Sequence, residues 1–242
     1  MAKAKTSLAR RFGWLPFDWE GGLSDEVKFW ADALRDPGKC WNEEDYNTRL
    51  DPNLPLQPEL RKLVADADPH VRILDVGAGP LTRVGRCWDG RHIEIVAVDP
   101  LAPEYDAILE ANQIQPPVRT IECRGEDIGQ RFADHSFDIC YASNALDHAL
   151  SPTEVIRQMG KLTKVGGSVY LWHFLNCGVQ EQYHGLHQWN FNLCNGDMSI
   201  DNGRQTHKLS QVLDDQFQIE CRLEHAFDTD VVVAIARRMK NS

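Results

Sequence analysis

The sequence predicts an α/β fold: a seven-stranded, mostly parallel sheet with an antiparallel hairpin at its C-terminal edge and a helical appendage at its N terminus. Three observations carry that reading. Five short apolar runs between residues 71 and 172 alternate with helical segments, the order of βαβ units on a parallel sheet. Two further β-type runs near the C terminus are joined by only two residues, which suits an antiparallel hairpin. The first 41 residues instead hold four of the seven tryptophans.

The elements follow in order. Trp14, Trp19, Trp30 and Trp41, with Phe12, Phe17 and Phe29, mark the appendage. Ser24-Asp25-Glu26-Val27 is read as the cap of a helix through Phe29, Trp30 and Leu34, stopped by Pro37-Gly38. Pro52, Pro55 and Pro58 interrupt the chain, and a helix is expected over 58–66. Strands are expected at 71–76, 93–98, 119–123, 137–142 and 167–172. Ser151-Pro152-Thr153-Glu154 combines a capping box with proline at the first helical position, and Gly166-Gly167 is read as the end of that helix. A helix near 207–216 precedes strands at 218–226 and 229–236. Asn195-Gly196 predicts a hairpin between 188–193 and 198–200. The expected division is a helical cap over 1–69 and a main domain over 70–242.

Composition narrows the function. The 36 acidic against 26 basic residues give a net charge of −10, which argues against a nucleic-acid backbone as the main partner. The basic ends (Lys3, Lys5, Arg10, Arg11; Arg237, Arg238, Lys240) read as solvated termini. No apolar run nears the ~20 residues of a membrane span, and no apolar segment follows the basic start as in a signal peptide. The seven cysteines form no CxxC pair, so reduced thiols in the cytoplasm are expected, without a zinc or disulfide framework.

The chemistry concentrates at strand ends. Asp75-Val76-Gly77-Ala78-Gly79-Pro80 closes the first strand. Its glycines allow a tight turn and close approach of a ligand, and a following helix is expected to offer its N-terminus. The dinucleotide fingerprint fails, because position 82 is Thr82 and the next glycine is Gly85. An acid two places before the first glycine suits a ligand with a cationic amino-acid end. Asp99, 20 residues beyond Gly79, can accept both hydroxyls of a ribose. Gly125-Glu126-Asp127-Ile128 can read an adenine edge, with Asp127 preferred to Glu126 for the amine.

In this order the motifs resemble the class I S-adenosylmethionine-dependent methyltransferases, over about residues 70–236. Further matches are Ser136-Phe137-Asp138, Asn144-Ala145-Leu146-Asp147-His148 and Lys164-Val165-Gly166-Gly167; the departures are Leu81 for a frequent third loop glycine and Val165 for a usual proline. The resemblance implies a Rossmann-like doubly wound sheet and S-adenosyl-L-methionine as cofactor. It places Asp75, Gly77, Ala78, Gly79, Asp99, Pro100, Glu126, Asp127, Ile128 and Asn144 at the cofactor. It also places the acceptor site in the long stretch 173–206, where His173, His184, His187 and Trp189 are candidate acceptor contacts.

His148 is the candidate general base, since histidine titrates near neutrality; packing is its alternative role. His184 and His187 are read as a polar wall in preference to a metal pair, because no carboxylate cluster lies nearby in sequence, and no metal is expected. Trp189 suits stacking on an acceptor or burial against the N-terminal aromatics. The expected activity is methylation of a small polar molecule, most concretely a glycan, sugar or natural-product hydroxyl. The alternatives are an RNA or protein methyltransferase, which lacks an Asn/Asp-Pro-Pro-Tyr-type motif here, a non-catalytic binding module, and a nicotinamide-dependent oxidoreductase. Oligomeric state is not legible.

Overall fold

The structure, a computed structural model, describes residues 19–40, 42–64 and 69–239. The expectations for Trp14, Trp41, Phe12, Phe17, Lys3, Lys5, Arg10, Arg11 and Lys240 lie outside those residues.

A seven-stranded sheet forms the centre, in the order β3-β2-β1-β4-β5-β10-β9. Its strands are β1 (His70–Val76), β2 (His92–Asp99), β3 (Ile121–Glu122), β4 (Phe137–Ser143), β5 (Thr163–Phe174), β9 (Phe217–Ala226) and β10 (Thr229–Arg238). The first five run parallel, while β10 is antiparallel to both β5 and β9. Phe227 and Asp228 make the expected two-residue join, both at positive φ, as a twisted hairpin requires. The stretch after β5 adds a three-stranded sheet, β6 (Asn190–Cys194), β7 (Asp197–Asp201) and β8 (Thr206–Lys208). Asn195-Gly196 turns its first hairpin.

Strand alternation divides the core in two. Leu74 and Val76 pack with Phe137, Met159, Phe191 and Ile200 on one side. Val71 and Ile73 pack with Leu56, Leu60 and Val64 on the other. Leu56, Leu60 and Val64 are therefore part of the sheet's own core.

Several element expectations change. Helix α1 spans Trp19–Arg35, so Ser24 is interior to it and caps nothing. It stops at Arg35 because Pro37 disfavours helical geometry at the residue before it; Pro37-Gly38 opens the next short helix, α2 (Pro37–Cys40), and does not simply break the chain. The helix expected over 58–66 is the single turn α4 (Pro58–Arg61), after α3 (Glu43–Leu50). The one expected over 207–216 is also one turn, α5 (Leu209–Val212), since Thr206–Lys208 pairs as a strand. Gly166-Gly167 does not end the helix at 152–162; Thr163 does, by turning extended, and the glycines lie inside β5.

The largest correction concerns the segment after Gly79, where no helix follows. Residues 77–91 run as turns and bends between β1 and β2. Their backbone is committed elsewhere: Leu56 donates to the Cys87 carbonyl at 2.8 Å, and Arg86 and Cys87 donate to the Leu54 carbonyl at 2.7 and 3.0 Å. Pairing with Leu54 and Leu56 withdraws the Arg86 and Cys87 amides and the Cys87 carbonyl from helical hydrogen bonds.

Candidate active site

The glycine loop is tightly framed. Gly77 and Ala78 donate to the Val98 carbonyl at 2.9 and 3.1 Å, which ties the loop to the end of β2. Gly77 and Gly79 sit at φ +72° and +62°, a region that favours glycine. A Cβ at Gly77 would lie 2.3 Å from the Ala145 methyl, and one at Gly79 would lie 3.1 Å from the Trp30 ring. The loop thus leaves its backbone bare between the β4 end and helix α1.

Three acids stand around it. Asp75 is buried and accepts from the Thr82 hydroxyl at 2.5 Å. Burial pushes its carboxyl up to about 6, Asp99 adding and Thr82, Arg49 and Arg83 opposing. Asp99 accepts from the Gly79 amide at 3.1 Å and the Leu101 amide at 3.0 Å, one on each oxygen. It too is raised to about 6 by burial, with Glu26 adding and bonds from the backbone and Tyr105 opposing. Glu126 accepts from the Ser151 amide at 3.0 Å. That amide is the one a full capping box would tie to Glu154, whose side chain turns instead to Arg157 and Gln158.

These groups line one cavity of about 930 Å³ at the carboxyl ends of the strands, within the size range of cofactor pockets. Ala78, Pro100, Asn144 and Glu126 are on its wall. Asp127 is not; it bonds Gln130. The preference for Asp127 over Glu126 is therefore reversed in position, because Gly125–Asp127 is a single tight turn that aims successive side chains apart. Ile128 is fully buried in the core and lines nothing.

Helix α1 supplies wall that no motif announced. Trp19, Glu26, Phe29 and Trp30 all face the cavity. Trp30 donates to Glu26 at 2.8 Å, one helical turn away. Trp19 donates to the His148 carbonyl at 3.4 Å and lies under the Arg124 guanidinium, 4.5 Å from its ring centre. Tyr105, Arg49 and Arg83 are further wall residues that sequence reasoning missed. The wall carries seven carboxylates (Asp25, Glu26, Asp45, Asp75, Asp99, Glu126, Glu181) against three arginines, a field that favours a cation.

The histidines divide. His148, His184 and His187 are on the wall. His148 Nε2 lies 3.0 Å from His187 Nδ1, which lies 2.7 Å from Asp147 Oδ2. Burial alone would raise Asp147, but the charge of His148 and the bond from His187 hold it down at about 2. Burial opposes charge on His187, and Asp147 overcomes it, so the imidazole is raised. His173 does not reach the cavity: it is buried, stacks on Phe191 at 4.0 Å and is lowered to about 4 by burial. The strand runs on to Phe174, and that alternation turns position 173 into the core. Trp189 is likewise buried, its indole donating to the Ala149 carbonyl at 3.0 Å. Neither can touch an acceptor in this arrangement.

Residues 74–171 match the family model described as a methyltransferase domain. An uncharacterized methyltransferase of Mycobacteroides abscessus is 32% identical over 100 residues, 41% of this chain and 38% of that protein. One of Mycobacterium tuberculosis is 31% identical over 111 residues, 45% of this chain and 42% of that protein. The matches thus span less than half the length of these curated relatives. Among solved structures, a chain from the complex of the Haloferax volcanii Trm112 methyltransferase activator with a methyltransferase has a TM-score of 0.56. It is 14% identical, covering 89% of this chain and 98% of that one. The CurJ carbon methyltransferase gives 0.50 at 16% identity, with 73% and 50% covered; both likenesses show the fold.

The sheet order and the cavity at its strand ends define a Rossmann-like α/β fold. Within it, residues 74–171 are similar to a methyltransferase domain, a likeness that implies S-adenosylmethionine as the cofactor. The residues present fit that group: a glycine cradle that a Cβ would fill, and buried acids facing a ligand that is cationic at sulfur and at its amine. No helix among the described residues is long and apolar enough to cross a membrane.

Proposed function

We propose that the protein transfers the methyl group of S-adenosylmethionine to a small polar acceptor, most concretely a hydroxyl of a sugar, glycan or natural-product scaffold. The observation that carries this is the convergence of Asp75, Gly77, Gly79, Asp99 and Glu126 on one acid-rich cavity. When bound, S-adenosylmethionine supplies a methyl group already activated at a sulfonium. The chain then has to hold, orient, exclude water and manage one proton.

Asp75 and the Gly77–Gly79 loop would hold the amino-acid end, Asp99 the ribose hydroxyls and Glu126 the adenine edge, with Ala78, Pro100 and Asn144 shaping the wall. Helix α1 would roof the pocket through Trp19 and Trp30. The acceptor would enter between α1 and the wall that carries His184 and His187. Loss of the hydroxyl proton falls to the cluster of Asp147, His148 and His187, whose two histidines line the cavity, with His148 as the base. The excess of carboxylates on the wall supports a neutral or cationic acceptor over a polyanion such as RNA.

The test has two arms. Calorimetry should show one S-adenosylhomocysteine bound per chain; no heat and no thermal shift would sink the reading. Radiolabel from S-adenosylmethionine should then enter a sugar or phenol in a small-molecule panel, while label entering RNA or protein would replace the acceptor class.

A further inference from the structure

Asp147, His148 and His187 raise a question that hydrogen bonding does not answer. Their atoms form a triangle with sides of 3.0 Å (His148 Nε2 to His187 Nδ1), 2.7 Å (His187 Nδ1 to Asp147 Oδ2) and 3.5 Å (His148 Nε2 to Asp147 Oδ2). Without a hydrogen, each of these atoms offers a lone pair. His187 Nδ1 has one site, so it cannot donate fully to the carboxylate while accepting from His148. One proton leaves at least one close pair without an attractive contact.

The carboxylate sharpens the point. Asp147 is 1% exposed, and its second oxygen has no hydrogen-bond partner among the described residues. A buried carboxylate is stable only with strong compensation.

We propose that these three side chains form a binding site for a divalent first-row transition-metal ion at the acceptor end of the cavity. Bonds of about 2.1 Å at 90–109° set ligand atoms about 3.0–3.4 Å apart, and the triangle's sides bracket that span. Two imidazoles and one carboxylate on one face of an ion favour zinc, iron, cobalt or nickel over magnesium or calcium. The far nitrogen of His148 has the Glu26 carboxylate 3.9 Å away, the side on which metal-bound histidines commonly meet an outer carboxylate. His184, the neighbour by sequence spacing, is not in the cluster; the partner of His187 comes from 40 residues earlier.

His148 and His187 both line the cavity, so the ion's remaining positions face it. They would take an oxygen donor from the acceptor. Resting on the methyltransferase reading, this refines it: an alcohol or phenol oxygen on the ion is acidified, as metal-bound water is. The O–H bond breaks with its proton passing to solvent, and His148 then serves as a ligand and not as the base.

The test uses the purified full chain, stripped with chelator and titrated with Co²⁺ and with Zn²⁺. One ion per chain is expected, with Co²⁺ giving visible ligand-field absorption that Zn²⁺ displaces. His187→Ala and Asp147→Asn should each lower ion affinity at least tenfold. Both should still bind S-adenosylhomocysteine, which shows that they are folded. Wild-type protein that binds neither ion, or a His187→Ala chain that binds as wild type does, overturns the site. Loss of S-adenosylhomocysteine binding in the wild type, with ion binding intact, would overturn the methyltransferase reading alone.

Discussion

Asp99 shows how one side chain can build a loop and still face a ligand. Its two oxygens take the Gly79 and Leu101 amides, so it pins the glycine turn to the end of β2. A carboxylate oxygen has a second acceptor site, and the residue remains on the cavity wall. Asp99→Asn keeps the volume but points an amide donor at a backbone donor or at the ribose hydroxyls. On the proposed reading this weakens S-adenosylhomocysteine binding by about 1–3 kcal/mol, or roughly fivefold or more by calorimetry. Unchanged affinity would remove Asp99 from the site. The same scale explains what was hidden. The apolar run ends at Trp172, which puts His173 among the candidate acceptor contacts in sequence; β5 runs on through it to Phe174 and turns it into the core. Asp147 lay inside a matched motif, yet its meaning depends on His187, 40 residues away, and no spacing rule connects them.

At the scale of elements, the strands were legible because each contains a β-rich run, although β3 is only Ile121–Glu122 within the run at 119–123 and β5 extends from Thr163 to Phe174 beyond 167–172. The helices were less so, since helical periodicity over 58–66 and 207–216 competes with pairing partners that lie elsewhere in the chain. The same competition removes the helix after the glycine loop. Residues 84–87 lie against Pro52–Gln57, and Gly85 makes the contact possible: a Cβ there would lie 2.0 Å from the Pro55 carbonyl oxygen and 2.6 Å from Leu56 Cα. Those are backbone atoms that cannot swing aside. Gly85→Ala should therefore destabilise the fold by about 1–3 kcal/mol, read as a lowered melting temperature and urea midpoint. Since Gln57 also bonds the Arg83 carbonyl and the Gly85 amide, the strain passes to Arg83 on the cavity wall. A melting temperature equal to wild type would show that this docking contributes little.

For the whole molecule, the acid excess has a thermodynamic consequence. Asp75 and Asp99 each rise from 3.8 to about 6 on folding, chiefly through burial. Asp75 is faced by Thr82, Arg49, Arg83 and Asp99, and Asp99 by Glu26 and Tyr105, so the cations do not outweigh the burial. The native chain then holds protons that the unfolded chain has released. Their contribution to stability is complete below pH 3.8 and is lost as pH rises through about 6. Ionising both in the folded state costs on the order of 3 kcal/mol each. A cationic ligand beside them selects the ionised forms, so binding reverses part of that loss. Affinity for S-adenosylmethionine should accordingly be flat above pH 7 and fall below pH 6, by up to tenfold per pH unit for each proton displaced. Calorimetry near pH 6 in two buffers of different ionisation heat should register proton release on binding. The melting-temperature gain given by the cofactor should be larger at pH 7.5 than at pH 5. Affinity that is level from pH 5 to 7.5, with no proton released, would mean that the buried acids do not face the cofactor's charge.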